Sequence, residues 1–299
     1  MNTPWWAIAR SEEVSNEKPL SVDLGDRPIV LWRDNAGVAR ALEDRCPHRR
    51  APLSLGCIRK EGWIQCGYHG WSYDGESGRV VEVPNLKDEQ RFPPLYRAER
   101  YVVHEAGGLV RIALQADAAP PADTPSELPL SGTVHVGLDH ERYLAALFDD
   151  PALVLHIGGV HFTTYLMSAL HEENGQLLME RNCQWRLAHW PAAFSSEYPL
   201  SFLTRTDPVT GETEATLRDR DFRPLLTLVL APVPAARGVT AVRWRARIDS
   251  ALRALPGPLL SVQPRASIDA AALRTLKPSV SVQFEVLRRC LIPSTLQAA

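Results

Sequence analysis

Two short segments, Cys46-Pro47-His48 and Cys66-Gly67-Tyr68-His69, constrain this chain more than any other feature of it. Each brings one thiol and one imidazole on its own turn, and 17 residues separate them. Thiolate and imidazole together suit zinc or an iron–sulfur cluster. Zinc fingers group their cysteines in one pair and their histidines in another, whereas here each segment mixes the two. The mixed pairing suits a [2Fe–2S] centre in which one iron takes Cys46 and Cys66 and the other takes His48 and His69. Neutral imidazoles leave such a cluster less negative than four thiolates do, and its potential lies at roughly −150 to +300 mV. The alternative for the same four residues is a zinc knuckle.

The residues around these ligands extend the pattern. Ala41-Leu42-Glu43-Asp44-Arg45-Cys46-Pro47-His48-Arg49, followed by Ala51-Pro52-Leu53-Ser54-Leu55-Gly56, resembles the first cluster loop of the Rieske non-haem iron oxygenases. Cys66-Gly67-Tyr68-His69-Gly70-Trp71, with Tyr73-Asp74-Gly75, resembles their second loop. Within that family the chain is similar to the vanillate and dicamba O-demethylase oxygenase components. Arg50 departs from the pattern, because the family usually has glycine there.

At 299 residues the chain can form two modest domains, each with a buried core. A net charge of −2 gives no electrostatic case for nucleic acid or an anionic membrane surface. Cys57, Cys183 and Cys290 stand apart from the motif and read as buried thiols rather than disulfide partners, which fits a reducing compartment. The amino terminus lacks the basic and apolar regions of a secretory leader, and no apolar run is long enough to span a bilayer. A cytoplasmic location is the resulting expectation.

Short β-type segments separated by turns fill residues 1–116, the expected cluster domain, and a Pro/Ala/Asp-rich stretch over 117–131 reads as a linker. Residues 132–299 then change character. A helix is expected around Arg142–Leu147, and longer β-type segments follow at Phe162–Met167, Leu177–Trp185, Glu214–Arg218, Leu225–Val233 and Val239–Ile248. Ser267–Arg274 reads as a short helix with a serine cap. The fold class is therefore α+β, an all-β domain followed by an antiparallel sheet covered by helices. The resemblance implies a helix-grip domain for the second part.

In the family that domain holds one Fe(II) through two histidines and a carboxylate. Asp150 to His161 matches the segment that supplies the first two ligands, with His156 and His161 at the ligand positions. Leu153 stands where the family has an aspartate, and Asp150 where it has asparagine. Leucine offers no acceptor to hold an imidazole. Gly158 and Gly159 each cost a helix roughly 1 kcal/mol relative to alanine, which loosens the turn between the histidines. If Glu285 matches the family's later glutamate, Val280 falls on the third ligand; a slipped register would instead offer Glu285. His135, His140, His171 and His189 have no partner spacing and read as structural or surface residues.

The resemblance implies an oxidoreductase, an oxygenase component taking electrons from a reductase or ferredoxin for hydroxylation or demethylation of a small organic substrate. The incomplete triad implies that it acts with a homologous oxygenase subunit in a homo- or hetero-trimeric ring. The alternative is a self-sufficient oxygenase with a non-standard mononuclear iron at His156 and His161. The catalytic residues are not legible.

Overall fold

A computed structural model describes residues 4–86, 92, 95–115, 117–121, 127–185, 199–249 and 261–292. The chain divides into two compact units, one of Met1–Ser126 with Val233–Arg237, the other of Glu127–Pro232 with Gly238–Ala299. His189 and parts of the 117–131 stretch lie outside the described residues.

The first unit is built from short antiparallel strands, as its turn-rich sequence requires. Trp5–Arg10, Leu109–Ala113 and Val102–Ala106 form one sheet, and Leu20–Leu24, Arg27–Arg33 and Ala39–Glu43 a second. A third joins Cys57–Ile58, Ile64–Gln65, Ser72–Tyr73 and Val80–Glu82. Arg27–Arg33 shows why two cores can share one unit. Successive side chains of a strand point to opposite faces, and here both faces are covered. Ile29 and Leu31 enter a core with Ile8, Val110 and Ile112, while Val30 and Trp32 enter another with Leu53, Tyr73, Cys46 and Cys66. The cysteine end of the motif is thus packed into apolar surroundings.

The second unit is an antiparallel sheet in which Val160–Leu166, Gln176–Trp185, Pro199–Thr206, Thr213–Arg218, Pro224–Ala236, Val239–Ile248 and Leu130–Val136 lie side by side, with His171–Glu173 pairing on the start of Gln176–Trp185. Helix α1 (His140–Asp149) starts at Asp139, whose carboxylate accepts from the Arg142 N–H, and stops before Pro151. Helix α2 covers Ala270–Thr275 and α3 covers Val280–Leu291. Phe148 of α1 and Phe284 of α3 stack at 4.4 Å between ring centres within the core. Burying each such ring contributes about 1.5–3 kcal/mol.

Several local expectations are corrected. The short helix is capped by Asp269, which accepts from the Ala271 N–H, not by Ser267. Residues 150–161 do not continue α1: a single 3-10 turn, Pro151–Leu153, leads into a hairpin of Leu155–Ile157 and Val160–Leu166. Gly159 has φ +77° at its turn, and a Cβ there would lie 2.8 Å from the Trp185 ring. The glycine pair therefore serves a strand turn rather than loosening a helix. Cys57 and Cys290 are exposed, whereas Cys183 is buried; all five cysteines are free. Strand Pro199–Thr206 and helix α3 were not foreseen in the sequence.

Candidate metal centre

The two motif segments close as matching hairpin turns. The Cys46 N–H donates to the Ala51 carbonyl at 2.8 Å and the Arg50 N–H to the Cys46 carbonyl at 2.7 Å. The Cys66 N–H donates to Trp71 at 2.8 Å and the Gly70 N–H to Cys66 at 3.0 Å. Such a turn puts its fifth residue in the left-handed region; Arg50 has φ +61° and Gly70 φ +73°. The turns lie against each other at backbone distance. A Cβ on Gly56 would be 1.8 Å from the Gln65 carbonyl oxygen, so glycine is required there.

This closure sorts the four side chains by kind. Cys46 and Cys66 are buried and interact with each other, and burial pushes the Cys66 thiol pKa up against the backbone N–H groups of Tyr68 and His69, which lower it. The imidazoles of His48 and His69 meet with ring centres 4.8 Å apart, His48 half-buried and His69 exposed. Two sulfurs inside and two imidazoles outside are what two irons with different ligand pairs need. A tetrahedral zinc would draw all four to one point. The donor set thus fits a two-iron cluster with mixed ligation.

Three further groups, not singled out by sequence reasoning, shape the site. The Tyr73 hydroxyl lies 3.0 Å from Cys46 Sγ, and burial followed by the Cys46 contact raises the phenol pKa. Trp71 stacks on His48 at 4.4 Å and 7° between planes, while Tyr96 meets Trp71 edge-on at 5.0 Å. Asp44 is buried and accepts from the Ser54 N–H at 2.7 Å, the Ser54 hydroxyl at 2.5 Å and the Ser21 hydroxyl at 3.0 Å. Its carboxylate pins the first loop to the strand Leu20–Leu24. Tyr73 and Trp71 stand inside the quoted motif, but only the fold shows what they touch. Burial lowers the His48 pKa, helped by His69 and Arg49.

The second expected metal site is arranged differently. His156 lies on the short strand Leu155–Ile157, opposite Gln263, and His161 on the strand beyond the turn, opposite Gln184; both are exposed. Leu153 packs against the core, and Val280 is buried at the start of α3 with no donor to offer. Asp149, the residue just before the expected ligand segment, is already engaged at that start. It accepts from the N–H groups of Ser279 at 2.9 Å, Val280 at 2.8 Å and Ser281 at 3.1 Å, and from the Ser281 hydroxyl. Asp150 accepts from the Ala152 N–H at 3.2 Å. Arg181, buried, donates to the carbonyl of Phe148 at 2.5 Å and to that of Thr163, on the strand of His161, at 2.7 Å. Glu285 pairs with Arg288 at 3.4 Å. Among the described residues, no three His, Cys, Asp or Glu side chains converge as for a single ion. The described residues do not fit a mononuclear iron.

The remaining histidines have local roles. His140 Nε2 lies 3.0 Å from the Thr210 carbonyl oxygen, and His171 Nδ1 lies 2.9 Å from that of Ala169. His135 is exposed. No described helix is long and apolar enough to cross a membrane.

Residues 4–94 match the family model of the Rieske [2Fe–2S] domain. The chain is 48% identical over 81 residues to the oxygenase component of dicamba O-demethylase from Stenotrophomonas maltophilia, covering 27% of this chain and 23% of that protein. It is 32% identical over 157 residues to the chloroplastic protein TIC 55 of Arabidopsis thaliana, covering 48% of this chain and 28% of that protein. The chain thus spans less than a third of the length of either relative. A crystal structure of dicamba monooxygenase bound to dicamba superposes with a TM-score of 0.71 at 19% identity, covering 99% of this chain and 98% of that one. The fold is therefore shared from end to end with that structure, and residues 4–94 belong to the Rieske [2Fe–2S] domain family.

Proposed function

We propose that Cys46, His48, Cys66 and His69 hold the [2Fe–2S] cluster and that the chain is the electron-carrying component of a Rieske oxygenase system. A reductase or ferredoxin would supply electrons, and a homologous oxygenase subunit would use them on a small organic substrate. When bound, a cluster of this type takes up and releases single electrons in a raised potential range. The chain's own residues set the conditions. Two buried sulfurs accept hydrogen bonds from Tyr73 and from the loop backbone, and the imidazoles form the outer end. Trp71 holds the His48 ring by its face.

The observation that carries the division of labour is the state of Asp149 and Val280. Asp149, just before the ligand segment, caps α3, and Val280, the expected third-ligand position, is buried. Among the described residues no carboxylate joins His156 and His161 as a third donor, so dioxygen chemistry is assigned to the partner subunit.

Iron analysis with EPR of the dithionite-reduced holoprotein tests this reading. Two irons per chain and a Rieske-type signal are expected. Three irons, with substrate turnover by this chain and a reductase alone, would refute it. Zinc in place of iron would remove the cluster assignment itself.

A further inference from the structure

We infer that Arg181 is a built-in cation of the second unit, standing in for the tie that a metal ion would give the expected ligand segment, so that this unit keeps its shape without iron. The inference deepens the assignment of dioxygen chemistry to the partner subunit and rests on it; the cluster assignment is not used.

Arg181 breaks a pattern that its strand otherwise keeps. Along Gln176–Trp185 alternate side chains face the core, and Leu177, Met179, Arg181, Cys183 and Trp185 are all buried. Phe202 lies opposite Arg181 on the next strand and belongs to the same core. The arginine is thus 2% exposed in a row of apolar residues. A buried charge without compensation is strongly destabilising, so the surroundings have to supply it.

Two kinds of compensation are present. The guanidinium donates to the Phe148 carbonyl at 2.5 Å and to the Thr163 carbonyl at 2.7 Å, while its Nε–H meets no acceptor among the described residues. The Phe148 carbonyl belongs to the last turn of α1, where a cation is favoured. Electrostatics supply the rest. Burial acts against the charged form of Arg181, whereas Cys183, Asp150 and Asp149 favour it. Burial also holds the Cys183 thiol neutral, its pKa pushed up to about 12, which leaves the two carboxylates as the effective counter-charges.

The two hydrogen bonds fall at the two ends of one segment. Phe148 precedes Asp150 by two residues and Thr163 follows His161 by two, so one side chain closes the whole stretch that the resemblance marks as iron-binding. Asp149 then fastens the same helix end to α3 through the N–H groups of Ser279, Val280 and Ser281. A divalent ion would hold such a segment by drawing donors to one point and neutralising the carboxylates beside it. Here the charge and the crosslink are part of the polypeptide, while His156 and His161 are exposed.

The test is the thermal midpoint of the full-length holoprotein, with the visible circular dichroism of the cluster as a control on the first unit. Arg181→Met keeps much of the volume without the charge and should lower Tm by about 5–15 °C. Arg181→Lys restores the charge but not the planar fork, and should lose less. In Arg181→Ala, guanidinium chloride at about 50 mM should raise Tm by about 2–4 °C relative to the same concentration of sodium chloride, and urea, its neutral isostere, should not. Wild type should gain nothing from either, and anaerobic Fe(II) should leave its Tm and iron content unchanged. Equal Tm for wild type and Arg181→Met, a Lys variant no better than the Met variant, or a folded Arg181→Ala that guanidinium stabilises no more than urea does would each overturn the proposal and leave the division of labour intact. If Arg181→Ala does not fold, the Met and Lys variants decide alone. A third iron bound by wild type would instead overturn the reading beneath it, and this proposal with it.

Discussion

Replacing Tyr73 by phenylalanine removes one atom from the proposed cluster environment and leaves the ring that fills the core. The lost group is a hydroxyl 3.0 Å from Cys46 Sγ, buried from water. A hydrogen bond to sulfur favours the reduced cluster, which carries one more negative charge, over the oxidised one. Hydrogen bonds to charged groups are worth about 1.5–3 kcal/mol. Only the difference between the two oxidation states enters the potential, and we take that as about 1 kcal/mol. With 59 mV per tenfold change for one electron, that is about 40 mV. Tyr73→Phe should therefore lower the midpoint potential by about 40 mV, measured by a spectroelectrochemical titration followed by circular dichroism. Iron content and the EPR line shape should persist. A potential that stays put or rises, with the cluster fully loaded, would refute the assignment of this hydroxyl as a donor to the cluster sulfur.

Other perturbations have equally definite outcomes. Asp149→Ala leaves three N–H groups and a hydroxyl at the start of α3 without their acceptor, and should cost about 1–3 kcal/mol in urea denaturation, with Asp149→Asn costing less. His140, half-buried against Thr210, is held neutral, with its pKa pushed down by desolvation to about 4. Because the unfolded chain binds that proton near pH 6.5 and the folded chain does not, stability should decline as pH falls from about 6.5 towards 4, by at most about 3 kcal/mol. His140→Gln should flatten that part of a Tm–pH curve. His48→Ala should abolish the visible absorption of the cluster, while Leu153→Asp should keep it and gain no third iron by metal analysis.

The proposed cluster site was the most legible part of the chain, because its four candidate ligands and their glycines lie within 25 residues of sequence, from Cys46 to Gly70, on turns whose geometry is local. Strands such as Arg27–Arg33 and Val239–Ile248 could be read from β-branched and aromatic residues. What escaped depends on long-range contacts. The strand Pro199–Thr206 follows a stretch without a clear periodicity. Helix α3 was hidden because Val280-Ser281-Val282 reads as β, and its start is fixed by a carboxylate 130 residues away. The same contact decides that Asp149 serves as a cap. From sequence it was merely one of two aspartates before a proline. Arg50 was visible as a departure from the family, but its left-handed backbone, and hence its cost, was not.

The contact between Gly56 and Gln65 bears on how the protein is assembled. With no room for a methyl group where Gly56 meets Gln65, opening the proposed site is expected to strain the short pairing of Cys57–Ile58 with Ile64–Gln65 that adjoins this contact. Maturation speed should accordingly follow how often that hairpin breathes, as amide exchange at Ile58 and Ile64 would register it.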